Sequence, residues 1–449
     1  MLTASTLTLG AWLALLCGAQ AADPPDLRTR KTGSDWPDFL GADRQSVSAE
    51  KGILANWAER APKVLWQREV GQGYAIGTVS RGRYFHAERA GKKIRLFALK
   101  SETGEELWSF EYETDYEDLY GYDGGPRCSP VVDGERVYLF GPEGMLHCVR
   151  AVDGGVVWKK DTTKDFNVVQ NFFGAGNAPV IEGDLLIAQV GGSPPKSPGI
   201  QTGEVVGLDS GIVAFDKRSG ELKYKVGDGL ASYSSLVTAT IGGRRWGFAF
   251  ARGGLVGFEP ATGKVDFRYP WRARVIESVN ASNPVVVGDK VFISECYSIG
   301  GSLLKVRPGG FDVVWSDGKK RDVSMATHWM TPIHVEGCLY GSSGRHTANA
   351  ELRCIELETG KVKWSEPRLT RCSLLLADGH FVCQGEDGAL RLIKVNPEKY
   401  EEVGKLVLGT PAREPALKYP AWAAPVLSHG LLYVRGKDRV VCLELIPPK

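Results

Sequence analysis

One phrase recurs along this 449-residue chain: an apolar strand, a polar turn containing glycine, then an aromatic four residues after that glycine. Clear copies run Phe97–Trp108, Arg150–Trp158, Ala214–Tyr224, Phe258–Phe267 and Ile355–Trp364, with weaker ones ending at Trp315 and, without an aromatic, at Val403. From Trp66 to Val403 the mean interval is about 48 residues, within the ~40–50 residues per blade of β-propellers. A glycine at a fixed place supplies the positive φ that a bulged hairpin turn needs. A second hairpin signal recurs in six units, as in Val131-Val-Asp-Gly134-Glu-Arg-Val-Tyr138, where alternating apolar residues flank Asp-Gly. Each unit therefore holds four short strands and cannot bury its own faces, so the units must stack or close.

Counting closes the ring. The last unit runs Ala424–Tyr433 and Arg439–Leu445 and stops before its fourth strand, while an unclaimed fourth strand, Lys63–Val70, stands near the start. The N-terminal strand completes the C-terminal blade and removes an exposed sheet edge. The expected fold is all-β: an eight-bladed propeller of four-stranded antiparallel blades over residues 62–449. Length alone suggests about three domains; the split last blade makes one. Residues 22–61 form a lead-in whose Trp36-Pro-Asp-Phe-Leu-Gly41 is expected to plug or cap one face.

Residues 1–21 read as an address. They carry no charged side chain, have an apolar middle from Leu7 to Leu16, and end in the small-x-small Ala19-Gln20-Ala21. No Lys or Arg precedes the apolar run, and Cys17 raises lipid anchoring as an alternative to cleavage. The apolar stretch is too short to span a bilayer. A periplasmic or secreted protein, without a transmembrane segment and monomeric, is expected. Lys+Arg of 55 against Asp+Glu of 53 gives a net charge of +2, without a basic block suited to nucleic acid.

Eight cysteines follow Cys17, with no C-x-x-C spacing for a structural zinc. Pairing about the turns would set Cys338 opposite Cys354 and Cys372 opposite Cys383; an oxidising compartment permits such bridges, and burial as small apolar side chains is the other reading.

The phrase A-x-D-x-x-T-G-x-x-x-W, kept best at Ala98–Trp108 and Ala214–Tyr224, resembles the docking motif of pyrroloquinoline-quinone (PQQ) repeats. Lys100 replaces the Asp in the first copy; Ser219 and Tyr224 replace Thr and Trp in the second. Such repeats occur in PQQ-dependent alcohol dehydrogenases and in the propeller lipoprotein of the outer-membrane barrel-assembly machinery. Trp36–Gly41, Gly125–Pro130 and His328–Pro332 look most like exported PQQ-like propellers of planctomycete-type bacteria. The enzymes of that family imply a quinone between a tryptophan floor and two adjacent cysteines, with calcium held by Glu and Asn beside an Asp base. This chain has no adjacent cysteines and no haem-attachment C-x-x-C-H. Glu277 and Asn280, in the loop feeding the fifth blade, offer oxygen ligands of a kind that suits Ca²⁺ and that equally serves loop backbone. The fold does not fix the activity.

A propeller's first strands line its channel. Their starts give Tyr74, Arg127, Asn177, Ser234, Asn283, Trp329, Arg371 and Trp422. Arginine offers bidentate hydrogen bonds and tryptophan a stacking face, so this mouth suits a planar or anionic ligand; the same polar residues also serve to solvate a narrow channel. Arg345, in a turn of the sixth blade, is a secondary candidate, and His328 and His346 read as packing or surface residues. No G-x-S-x-G or H-E-x-x-H motif is present. Gly191–Gly199 has Pro195 where a phosphate loop needs Gly, and it lies in an insertion of the third blade that is either a binding loop or a tolerated excursion. The chain is expected to be an exported, non-catalytic scaffold binding a protein or extended polypeptide at one face or the channel mouth, without cofactor or metal. The alternative is a PQQ- and calcium-dependent oxidoreductase of the alcohol or sugar dehydrogenase type.

Overall fold

The computed structural model describes residues 23–318, 320–409 and 414–448. The expected export segment and Cys17 lie outside them. Eight blades of four antiparallel strands form the ring; seven are built of sequential strands, and the eighth joins one N-terminal strand to three C-terminal ones. Their first strands are Thr78–Ser80, Val131–Asp133, Val180–Glu182, Val237–Ile241, Val285–Val287, Ile333–Val335, Cys372–Ala377 and Val426–Ser428, which define blades 1 to 8. First strands touch at the axis between blades 1 and 2, 3 and 4, 5 and 6, and 6 and 7. Lys63–Glu69 pairs antiparallel with Arg439–Glu444 and completes blade 8, as the split last unit requires. Among the described residues no helix is long and apolar enough to cross a membrane.

The repeated phrase is the joint between blades. The indole N–H of Trp66 donates to the carbonyl of Ser101, Trp108 to Ala151, Trp158 to Lys217, Trp315 to Leu357 and Trp364 to Asn396, all at 2.8–3.1 Å. The hydroxyl of Tyr224 does the same to Pro260 at 2.6 Å. Each acceptor lies in the last turn of the next blade. The turn glycine sits beneath the ring: a methyl on Gly154 would stand 2.6 Å from Trp108, and one on Gly220 2.7 Å from Trp158. These glycines also have φ of 74° and 71°. One residue thus satisfies both the turn and the approach of the neighbouring blade. Two joints differ. Phe267 has no donor and packs on Phe311 of blade 5 with ring centres 5.0 Å apart. Val403 has no ring, and Trp57 of the lead-in covers Gly404 beside it.

The eight cysteines that follow Cys17 are all buried and unpaired. The strand register explains why the expected facing pairs fail. Cys338 lies opposite Glu356 while Cys354 lies opposite Tyr340; Cys372 lies opposite Gly385 while Cys383 lies opposite Leu374. Each pair is offset by two residues on one face, a diagonal rather than a direct cross-strand contact.

The lead-in closes one end of the channel. Trp36 exchanges two backbone hydrogen bonds of 2.8 Å with Val79, and Val132 N–H donates to Pro37. Arg44, 3 % exposed, pairs with Asp38 at 2.7 Å and donates to the carbonyls of Ala178, Pro179 and Leu236. Val47–Ser48 then adds a parallel strand to the first strand of blade 7. The segment therefore ties blades 1, 2, 3, 4 and 7 together across the axis. The two hairpin turns of every blade are tight on this side. The long connections, including residues 114–130, 162–179, 271–284 and 407–425, fall on the other face, because each joins an outer strand to the next inner one.

Candidate functional site

At that open face the channel widens into a cavity of about 410 Å³, within the ~300–1,000 Å³ of small-ligand sites. Its floor is the lead-in, through Phe39, Leu40 and Ser46. The wall takes Tyr74, Arg127, Trp329, Arg371 and Trp422 from the ring of strand starts, and Arg345 from the blade 6 loop. The structure does not bring Asn177, Ser234 and Asn283 into this wall. They are buried and join adjacent inner strands: Asn177 Nδ2 donates to Ser232, Asn283 Oδ1 accepts from the N–H of Ser235, and the N–H of Asn283 donates to Thr331. Ser235, Asn283 and Thr331 are spaced by 48 residues, so the repeat period reappears as lateral hydrogen bonds around the axis.

Within the wall the aromatics touch. Trp329 and Trp422 have ring centres 5.1 Å apart, and Tyr74 lies 4.7 Å from Trp422. The Arg371 guanidinium stands 4.6 Å over Trp329 and 5.5 Å over Trp422. It is fixed by Glu386 at 2.6 Å, by the carbonyl of Arg345 at 3.0 Å and by His328 Nδ1 at 3.4 Å. Glu386 also accepts from the indole of Trp422 at 2.9 Å and from the hydroxyl of Thr347 at 2.8 Å. Burial pushes its carboxyl up, but the hydrogen bonds from Arg371, Trp422 and Thr347 more than offset this and hold it below the ordinary value. Arg127 lies over Tyr74 and Phe173 and reaches Asp118 at 3.4 Å.

Sequence reasoning read His328 as a packing or surface residue and left out Tyr297, Phe173, Tyr233 and Tyr419; all five line the cavity. Phe173, Tyr233, His328 and Tyr419 sit on connections between blades and Tyr297 in the short turn between Lys290–Glu295 and Gly300–Arg307, segments without periodicity. Burial, reinforced by Arg371 and Arg345, drives the His328 imidazole down to about 3. It is neutral at physiological pH and accepts from Arg371, so it is not poised as an acid or base.

Among the described residues no Asp or Glu lines the cavity, and no group of three His, Cys, Asp or Glu side chains could hold a metal ion. Glu277 is exposed, whereas Asn280 is buried and donates to the carbonyls of Ala251 and Trp271 at 2.7 and 3.3 Å. Glu386, behind the wall, is fully engaged. This donor set does not fit a calcium-held quinone.

The family model described as outer membrane protein assembly factor BamB matches residues 92–366. No curated protein matches the sequence. Among solved structures, BamB from Moraxella catarrhalis is 12 % identical with a TM-score of 0.57, covering 86 % of this chain and 99 % of its own. Quinohemoprotein alcohol dehydrogenase from Comamonas testosteroni is 12 % identical with a TM-score of 0.63, covering 93 % and 81 %. The computationally designed Ika8 protein is 10 % identical with a TM-score of 0.51, covering 85 % and 98 %. At these identities the structural likeness speaks for the propeller alone.

Proposed function

The chain belongs to the PQQ_2 family of outer membrane protein assembly factor BamB, and on that footing we propose that it is a non-catalytic propeller scaffold of the cell envelope. Its open face receives an extended polypeptide segment of a partner protein in the aromatic and arginine-walled cup. The observation that carries this reading is the wall itself: tryptophan and tyrosine faces, three guanidiniums and, among the described residues, no lining carboxylate. Aromatic faces and arginine are the side chains most enriched at the centres of protein interfaces. Tyr122 and Tyr419, 65 % and 56 % exposed, stand at its rim and extend it outward. Of the two imidazoles that line the cavity, His328 and His346, the first is held neutral and accepts from Arg371.

The test is positional photo-cross-linking in the native envelope, with the photo-reactive residue at Tyr122 or Tyr419 and, as contrast, at Val313 on the outer edge of blade 5. A discrete polypeptide adduct from the rim, absent from Val313 and reduced by Trp329→Ala, is expected. Equal labelling from all positions would sink the scaffold reading. The oxidoreductase alternative is tested by adding PQQ and Ca²⁺ while following quinone absorbance and melting temperature. A shift in either that Trp329→Ala or Trp422→Ala abolishes would overturn the proposal.

A further inference from the structure

Resting on the scaffold reading, we infer that the cup captures a chain end: the free C-terminal carboxylate of a polypeptide whose final residues are aromatic or apolar, with Arg345 as its counter-ion. Three independent observations converge on this occupant.

The first is the floor. Phe39, Leu40 and Ser46 close the channel beneath the cup, and Arg44 and the added strand Val47–Ser48 tie that floor to the surrounding blades. A polypeptide entering the cup cannot thread through. It must either terminate there or turn back, and a cavity of about 410 Å³ leaves little room for a hairpin with its side chains.

The second is charge. Arg371 is neutralised by Glu386 at 2.6 Å and Arg127 faces Asp118 at 3.4 Å. Arg345 differs. It is half-buried, its guanidinium lies 4.4 Å over the Tyr297 ring, and among the described residues it has no carboxylate within 4.0 Å and donates no side-chain hydrogen bond. His328 beside it stays neutral. The cup thus retains one unmatched positive charge. An incoming N-terminal ammonium would be repelled, whereas a carboxylate would take a paired set of guanidinium hydrogen bonds. Recognition of a terminal carboxylate is an established way of reading an extended peptide.

The third is the aromatic wall. Trp329, Trp422 and Tyr74 form one continuous aromatic surface, which suits the last side chains of the bound segment by stacking and apolar burial.

The test uses the full mature chain and two fluorescein-labelled glycine–serine peptides ending in Tyr-Phe, one a free acid and one a C-terminal amide, followed by fluorescence anisotropy. The acid is expected to bind at least about tenfold more tightly than the amide, the scale of one charge-assisted hydrogen-bond pair. Arg345→Gln should erase that discrimination with little change in melting temperature, since the guanidinium's one described contact is the half-exposed stacking on Tyr297, and Arg345→Lys should keep part of it. Equal binding of acid and amide, absence of saturable binding, or discrimination that survives Arg345→Gln would each overturn the assignment. If the rim cross-link persists while acid and amide bind alike, only this inference fails and an internal segment is the occupant. If both are lost, the scaffold reading fails with it.

Discussion

Arg371 and Glu386 meet at 2.6 Å in the wall of the cup, with side chains only 10 % and 1 % exposed. The pair sets the geometry of the site, because Glu386 also holds the indole of Trp422 and Arg371 carries the faces of both tryptophans. Removing one member leaves the other charge buried. Arg371→Met is expected to cost about 3–5 kcal/mol of unfolding free energy. The double variant Arg371→Met with Glu386→Gln should recover much of that loss, since no charge is then stranded. Urea denaturation of the three proteins checks this; a single-variant cost below about 1 kcal/mol, the scale of a surface pair, would show that the wall does not depend on it.

A second buried carboxyl gives stability an unusual pH dependence. Glu295 is 1 % exposed, and burial pushes its pKa up to about 7 despite the Tyr297 and Ile299 amides, the Ser278 hydroxyl at 3.4 Å and the charge of Arg272. In the unfolded chain the same group titrates near its ordinary value of about 4.3. The folded state therefore holds this proton over a range where the unfolded state has released it. Its contribution is complete below about pH 4 and is lost as pH rises through about 7, a change on the order of 3 kcal/mol. Glu295→Gln should remove that slope. Unfolding free energies of both proteins across this range provide the check, and their difference cancels the opposite contributions of His86 and His147, whose pKa values burial lowers. Parallel curves would refute the assignment.

The architecture was legible because most joints between blades impose the same local demand: a glycine that tolerates both φ > 0 and an overlying ring, and an aromatic four residues on. The site was legible only in part. Strand starts follow from register, so Tyr74, Arg127, Trp329, Arg371 and Trp422 were found. Asn177, Ser234 and Asn283 share that register but are spent on lateral hydrogen bonds between inner strands, a tertiary use with no local signature. Phe173, Tyr233, Tyr297 and Tyr419 come from irregular connections, where side-chain direction is set by loop packing rather than by period. The three carbonyl partners of Arg44, Ala178, Pro179 and Leu236, were invisible for the same reason, since they lie 134 to 192 residues away in sequence.

The joint itself yields the sharpest comparison between two glycines of nearly equal backbone conformation. Gly220 and Gly91 have φ of 71° and 59°. A methyl on Gly220 would fall 2.7 Å from the indole of Trp158, whereas one on Gly91 meets nothing within 4 Å. Both Ala variants carry the left-handed backbone penalty of about 1–2 kcal/mol. Gly220→Ala must also displace the Trp158 ring, which adds about 1–3 kcal/mol of overpacking and breaks its 3.1 Å hydrogen bond to Lys217. The expected order is a loss of about 3–5 kcal/mol for Gly220→Ala against about 1–2 kcal/mol for Gly91→Ala. Guanidinium denaturation followed by tryptophan fluorescence reads both. Equal losses would mean that the repeated glycine serves the turn alone, and that the docking of one blade's aromatic onto the next does not hold the ring.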